Sequence, residues 1–313
     1  MIISASRRTD IPCFYSDWFF ERIRAGKVWV RNPVNLHQIS EISLSPEVVD
    51  GIVFWTKNPT PMLNHLHQLH QYMYYFQFTL NAYASDVEPR LPDKQRVLIP
   101  AFQRLSDAIG PERVVWRYDP IFLTRRYTME NHIRCFATLA KRLSPYTKRC
   151  TISFLDYYRN TAQNLAGLTL QNFTPAEQRR LAKALGEIAH SYGLEIDACA
   201  ETLDLEEYGI GRARCIDGEL LGRLLAYPLA VRKDRNQRLA CGCAESIDIG
   251  AYNTCPNGCR YCYANYSESL LRANGGQHDP HSPLLTGVPV EGDRVSVKKM
   301  YSLREQQMRL TEV

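Results

Sequence analysis

The sequence predicts an α/β fold, a (β/α)8 TIM-type barrel, and three observations carry that prediction. Short β-like runs alternate with helix-like stretches along the chain. Eight such runs can be counted, the number that a closed barrel of parallel strands needs. Polar and charged residues gather just after the runs, where barrel enzymes carry their active sites. The 313 residues are enough for a barrel of about 250 residues and an extension.

The first strand is expected at 2–5. A helix follows at 16–25, with Ser16 as its N-cap and Gly26 at its end. Strands are expected at 27–30 and 51–55, then a helix at 61–70 that opens on a proline. The aromatic-rich run 74–80 reads as a fourth strand. A helix at 93–109 is stopped by Gly110-Pro111. A strand at 113–117, a helix at 128–143 and a strand at 150–154 come next. The helix at 174–192 has the fullest signals: Thr174 caps it, Pro175 opens it, Glu177 completes a capping box and Gly193 ends it. A strand at 194–198, a helix at 217–226, an eighth strand at 246–252 and a helix at 263–273 complete the series. Residues 1–274 are therefore read as the barrel, including a cysteine-bearing loop at 241–264. Residues 275–313 are read as a C-terminal extension packed on it, with a basic helix at 295–308.

Composition narrows the function classes. Hydrophobic residues make up 45% and charged residues 23%, as in an ordinary globular protein. The net charge is +5 and the pI about 8.6, which permits an anionic substrate without requiring a nucleic acid. Nucleic acid as substrate has no concentrated basic run behind it. No apolar run approaches the ~18 residues that cross a bilayer, and no signal peptide is visible, so a cytoplasmic, non-membrane protein is expected. In a reducing compartment ten cysteines read as buried, metal-bound or catalytic thiols.

Three of them stand at C-x3-C-x2-C spacing: Cys255, Cys259 and Cys262, on a loop containing Pro256 and Gly258. Thiolates this close can hold three corners of a [4Fe-4S] cluster and leave one iron open. The other readings are a structural zinc site, with Cys241 or Cys243 as fourth ligand, and unmetallated thiols. Cys199, Cys215, Cys241 and Cys243 form a second candidate set, as an auxiliary metal site or as small buried hydrophobes. Cys13, Cys135 and Cys150 lie in apolar runs and read as core.

The segment from Thr254 to Ala264 resembles the cluster loop of radical S-adenosylmethionine enzymes, including an aromatic residue, Tyr261, before the third cysteine. Its ending, Tyr261-Cys262-Tyr263-Ala264, is similar to that of spore photoproduct lyase. More of the chain resembles a bacterial domain-of-unknown-function family 1848. The landmarks are Ser4 to Pro12, Trp55-Thr56-Lys57-Asn58-Pro59, Arg117-Tyr118-Asp119-Pro120, and Cys241-Gly242-Cys243 running on to Ala264. The radical-enzyme resemblance implies S-adenosyl-L-methionine bound at the open iron, radical chemistry on a substrate, and an electron donor such as ferredoxin or flavodoxin. In that family the loop follows the first strand. Here it follows the eighth, so the resemblance implies a barrel circularly permuted by one strand. A non-catalytic iron–sulfur redox protein and a zinc-stabilised ligand-binding barrel are the other classes open to the sequence.

Charged residues at strand ends supply the remaining candidates. Arg7, Arg8 and Asp10, after the first strand, can bind a carboxylate or phosphate, and Lys57 and Arg117 can do likewise. Asp119 and Glu201 can orient those cations or a ribose. Each could equally be a rim salt bridge. No catalytic residue can be named. His65, His67 and His70 do not share one helix face and read as solvent-facing. Trp18, Trp29, Trp55 and Trp116 read as core.

Overall fold

The first strand, β1 (Ile2–Ala5), is buried along its whole length. The computed structural model describes residues 1–156, 161 and 164–305. After β1 come α1 (Ile11–Phe14), α2 (Ser16–Ala25), β2 (Lys27–Arg31), β3 (Gln38–Ser43) and β4 (Gly51–Thr56). Then follow α3 (Thr60–Leu63), β5 (Tyr74–Thr79), α4 (Ile99–Ile109), β6 (Val114–Ile121), α5 (Met129–Leu143) and β7 (Arg149–Phe154). The chain continues through α6 (Pro175–Ser191), β8 (Glu195–Ala198), β9 (Gly211–Arg212), α7 (Gly218–Leu225), β10 (Ile247–Asp248), α8 (Glu268–Gly276) and β11 (Arg294–Val297). Eight strands form one parallel sheet in the order β10-β1-β4-β5-β6-β7-β8-β9. Helices flank it, in a TIM-barrel-like arrangement.

Side chains alternate across a strand with period two, and here the alternation separates two cores. Ile52, Phe54, Phe76, Phe78, Trp116 and Ile152 share one core with Phe102 and Leu105 of α4, Phe136 of α5 and Leu185 of α6. Ile2, Val53, Tyr75 and Val115 share the other with Cys199, Cys215, Ile216 and Leu221. The second core lies on the inner side of a curled sheet. A flat sheet would hold β5 and β9 about 19 Å apart, four strand spacings. Yet the Tyr75 hydroxyl donates to the carbonyl of Cys215 at 2.7 Å, just beyond β9, and accepts from Asp217 N at 2.9 Å. Gln77 Nε2 reaches the same carbonyl at 2.9 Å. Among the described residues no ladder joins β9 to β10. Ala244 N donates to Ile216 O across that interval at 2.9 Å.

Several elements differ from the sequence expectation. The run at 27–30 is not a barrel strand. Asn32 Oδ1 accepts from Val34 N and Asn35 N at 2.9 and 3.2 Å, turning the chain back on itself. β2 therefore pairs antiparallel with β3, and β11 joins β3 to make a separate three-stranded sheet. The eighth place in the large sheet belongs to β9, too short and glycine-containing to read as a strand. Residues 294–297 form a strand where a helix was expected from 295, because Val295 and Val297 suit a ladder to β3. Residues 306–308 of that expected helix lie outside the described residues. The last helix starts at Glu268 rather than at 263, where Ser267 Oγ caps Leu270 N at 3.2 Å. Beyond it, Trp18 Nε1 donates to the carbonyls of Ser282 and Leu284 at 2.9 and 3.1 Å. Trp18 and Trp116 are fully buried, Trp29 and Trp55 only partly. No helix among the described residues is long and apolar enough to cross a membrane.

α6 shows the local rule at its clearest. Thr174 Oγ1 accepts from Glu177 N at 3.3 Å, and Glu177 Oε2 accepts from Thr174 N at 2.9 Å. Replacing Thr174 by alanine removes one of these bonds and should cost about 1 kcal/mol. Urea unfolding should show a lower midpoint with an unchanged slope.

Candidate functional site at the mouth of the sheet

Parallel strands deliver the residues that follow them to one end of the sheet. Past β1, Arg7 Nη2 lies 3.3 Å from Ser246 Oγ and 3.6 Å from Asp234, and its guanidinium is 5.9 Å from the Trp55 ring. The Arg8 guanidinium lies 5.0 Å over the Tyr252 ring and 4.0 Å from Asp248. Asp248 is the junction of β10 and β1. It accepts from Ser4 Oγ at 2.7 Å, Ser6 Oγ at 2.6 Å and Arg7 N at 2.8 Å. Asp10 caps α1 through Cys13 N at 3.1 Å and accepts from Lys57 N at 2.8 Å and Asn257 Nδ2 at 3.3 Å. Burial raises its pKa to about 6 against the pull of those bonds.

Lys57, just past β4, lies in the most concentrated charge group. Its Nζ donates to Glu88 Oε1 at 2.8 Å, and Lys94 Nζ stands 2.6 Å from Glu88 Oε2. The Tyr261 hydroxyl donates to the same carboxylate, and Asn81 Nδ2 does so at 3.2 Å. The Glu88 side chain is 1% exposed, so two ammonium groups share one fully buried carboxylate. Burial alone would raise the Glu88 pKa, but the two lysines pull it down to about 2. Burial also works against both ammonium groups. Glu88, Cys259 and Asp119 outweigh it at Lys57, which is raised, whereas at Lys94 burial prevails.

Arg117, on β6, shares the inward face with Val115 by the same alternation. It pairs with Asp119, Nη2 to Oδ2 at 2.5 Å, and its Nη1 reaches Gln77 Oε1 at 3.3 Å and Cys215 Sγ at 2.9 Å. Glu201, three residues past β8, accepts from Phe154 N at 2.8 Å at the end of β7. Burial raises its pKa to about 7, with the Phe154 bond opposing.

The cysteine loop corrects the expectation of a cluster. Among the described residues no group of three or more His, Cys, Asp or Glu side chains is placed to hold a metal ion. This overturns both the [4Fe-4S] reading of Cys255, Cys259 and Cys262 and the zinc reading that drew on Cys241 and Cys243. It equally removes an auxiliary metal site on Cys199, Cys215, Cys241 and Cys243. Burial drives Cys255 well above the usual thiol range, Cys259 up to about 12, and Cys262 upward as well. The loop is held instead by polar bonds to its backbone. Asn265 Nδ2 donates to Cys255 O at 2.6 Å, Asn164 Nδ2 to Cys262 O at 3.2 Å, and Arg90 Nη1 to Pro256 O at 3.1 Å. S-adenosylmethionine on an open iron, the radical-enzyme class and a ferredoxin or flavodoxin donor all rested on the cluster and fall with it. The iron–sulfur redox protein and the zinc-stabilised barrel fall for the same reason. Tyr261 keeps a place in the site through Glu88, not through a cluster.

With this geometry in view, comparison with known proteins identifies the family. The model described as "Domain of unknown function (DUF1848)" matches residues 2–264. The chain belongs to that family. A search of curated proteins finds no match. Among solved structures the chain is similar to one from Bacteroides thetaiotaomicron VPI-5482 described as a "putative alpha-L-fucosidase". The identity is 11%, the TM-score 0.26, and the match covers 55% of this chain and 70% of that one. A likeness this slight supports no argument about activity.

Glu88, Lys94, Asn81 and Asp248 take part in the site, yet none was a sequence candidate. Glu88 and Lys94 lie well past the end of β5, so position after a strand did not mark them. Two open surface clefts, of about 350 and 420 Å³, lie elsewhere, one beside Phe20 and His65, the other beside His190 and Glu195.

The raised Glu201 pKa carries a stability consequence. Folding binds the proton more tightly, so the contribution is full below the unfolded pKa of about 4.3 and is lost as pH rises through about 7. Glu201→Gln cannot ionise. Relative to the native protein it should gain about 1–3 kcal/mol between pH 5 and pH 8.5 in urea unfolding.

Proposed function

We propose that the protein binds a small anionic molecule, bearing a carboxylate or a phosphate, at the mouth of the parallel sheet and exchanges a proton with it through Glu201. The Lys57–Glu88–Lys94 group carries this reading. An ammonium can donate three hydrogen bonds. Among the described residues Lys57 Nζ makes one, to Glu88, and the face of Tyr261 lies 5.3 Å away. Glu88 is the carboxylate in direct contact with both ammonium groups, with Asp119 acting on Lys57 from farther away. An incoming anion takes the unused donors.

The surrounding groups fit the same ligand. Arg117 adds a planar, bidentate donor suited to carboxylate or phosphate. Arg7 and Arg8 extend the positive rim, while Asp10 and Asp119 hold Lys57 and Arg117 in position. These cations are largely buried, which suits a small anion better than a nucleic-acid strand. A carboxyl titrating near neutrality is matched to general acid–base work. Barrel-like sheets place such groups at this end of the strands.

Calorimetric titration with inorganic phosphate and with a panel of small carboxylates tests the reading. At least one class should bind, more weakly as salt rises. Lys57→Met should reduce that affinity about tenfold or more. No binding by either class, or undiminished binding by the variant, would overturn it.

A further inference from the structure

Beneath Arg117 lies a group of thiols that the anion site does not use. Cys199 directly follows β8, Cys215 follows β9, and Cys241 and Cys243 precede β10. All four are buried, at 8, 7, 5 and 2% exposure. Cys199 Sγ and Cys215 Sγ stand 3.0 Å apart, about 1 Å beyond a disulfide bond. Electrostatic interaction links Cys215 with Cys243 and Cys243 with Cys241. The four sulfurs thus form a continuous chain from Cys241, beside the exposed Gly242, inward to Cys199. A lone buried cysteine is ordinary packing. Four buried together, drawn from three separate segments, are a different matter.

We infer that this chain is a thiol–disulfide relay that stores one disulfide between Cys199 and Cys215, with a low-molecular-weight disulfide as oxidant. Cys241 attacks the small disulfide, forms a mixed disulfide and releases one small thiol. Cys243 attacks the Cys241 sulfur and releases the second small thiol. Cys215 then attacks Cys243, freeing Cys241, and Cys199 attacks Cys215, freeing Cys243. In sum, two protein thiols and one small disulfide give one protein disulfide and two small thiols. Two electrons and two protons move outward, and the last exchange joins sulfurs already 3.0 Å apart.

The groups around the chain support this direction. The hydrogen bond from Cys243 lowers the Cys241 pKa to about 7 despite burial, so the outermost thiol supplies the attacking thiolate. At the inner end Arg117 Nη1, 2.9 Å from Cys215 Sγ, favours negative charge on that sulfur, while the interaction with Cys243 and burial hold its pKa up at about 12. Cys13, Cys135 and Cys150 lie outside the chain of contacts and serve as internal controls.

The test equilibrates the reduced full-length protein with mixtures of oxidised and reduced glutathione. Samples are quenched in acid, alkylated and mapped without reductant. A linked 199–215 peptide pair should appear in the native protein, with Cys13, Cys135 and Cys150 alkylated, and should be lost in favour of mixed pairings when the protein is first unfolded in urea. Cys241→Ser keeps both final partners and should slow the linkage about tenfold or more, leaving its final extent unchanged. Cys199 and Cys215 alkylated at every ratio, or glutathione adducts alone, would overturn the stored disulfide. Linkage at the native rate in Cys241→Ser would overturn the relay.

Discussion

The inward face of the sheet sets the terms for everything else. It carries Tyr75, Gln77 and Arg117, and a curled parallel sheet removes all three from water. Buried polar groups are tolerated only when they are paired. The segment 213–217 meets that demand. The Cys215 carbonyl accepts from both Tyr75 and Gln77, and the Cys215 sulfur accepts from Arg117. The sheet curls because strands far apart in order must share these partners. A flat sheet would leave Tyr75 and Gln77 without the acceptor they use. Arg149 extends the same logic toward the other end, reaching Asp217 at 2.9 Å.

What the sequence made legible follows from how local each cause is. The flanking helices are set by caps and periodicity, and α5 and α6 form where Thr128 and Thr174 announce them. The strands with continuous apolar runs, β4 to β7, were legible for the same reason. β9 is two residues long and exposed, and only its neighbours make it a strand. The reversal at Asn32 rests on a side-chain-to-backbone turn, which diverted 27–30 into a second sheet. The candidate site divides in the same way. Lys57, Arg117 and Glu201 follow strands and could be named. Glu88 and Lys94 come from a long connection after β5, and pairing at that distance along the chain has no local signature.

The cysteine spacing shows the opposite error, a strong local pattern with a different outcome in the fold. C-x3-C-x2-C brings three thiols near one another along the chain, but spacing alone does not fix how their sulfurs point or what protonation state their surroundings favour. Around Cys255, Cys259 and Cys262, burial is the leading influence and raises the thiol pKa values. Asn164, Asn265 and Arg90 bind the loop's backbone.

Arg117 is where the proposed anion site and the proposed thiol relay meet. One edge of its guanidinium holds Asp119 at the mouth, and another holds Gln77 and the sulfur of Cys215 below. A lysine could not serve both, because a compact ammonium lacks the planar fork that spans them. Removing one partner would leave charge to be taken up by the other. On the proposed reading, the position of the arginine, and with it the positive charge presented to an anion, is therefore coupled to the state of the Cys215 thiol that it touches.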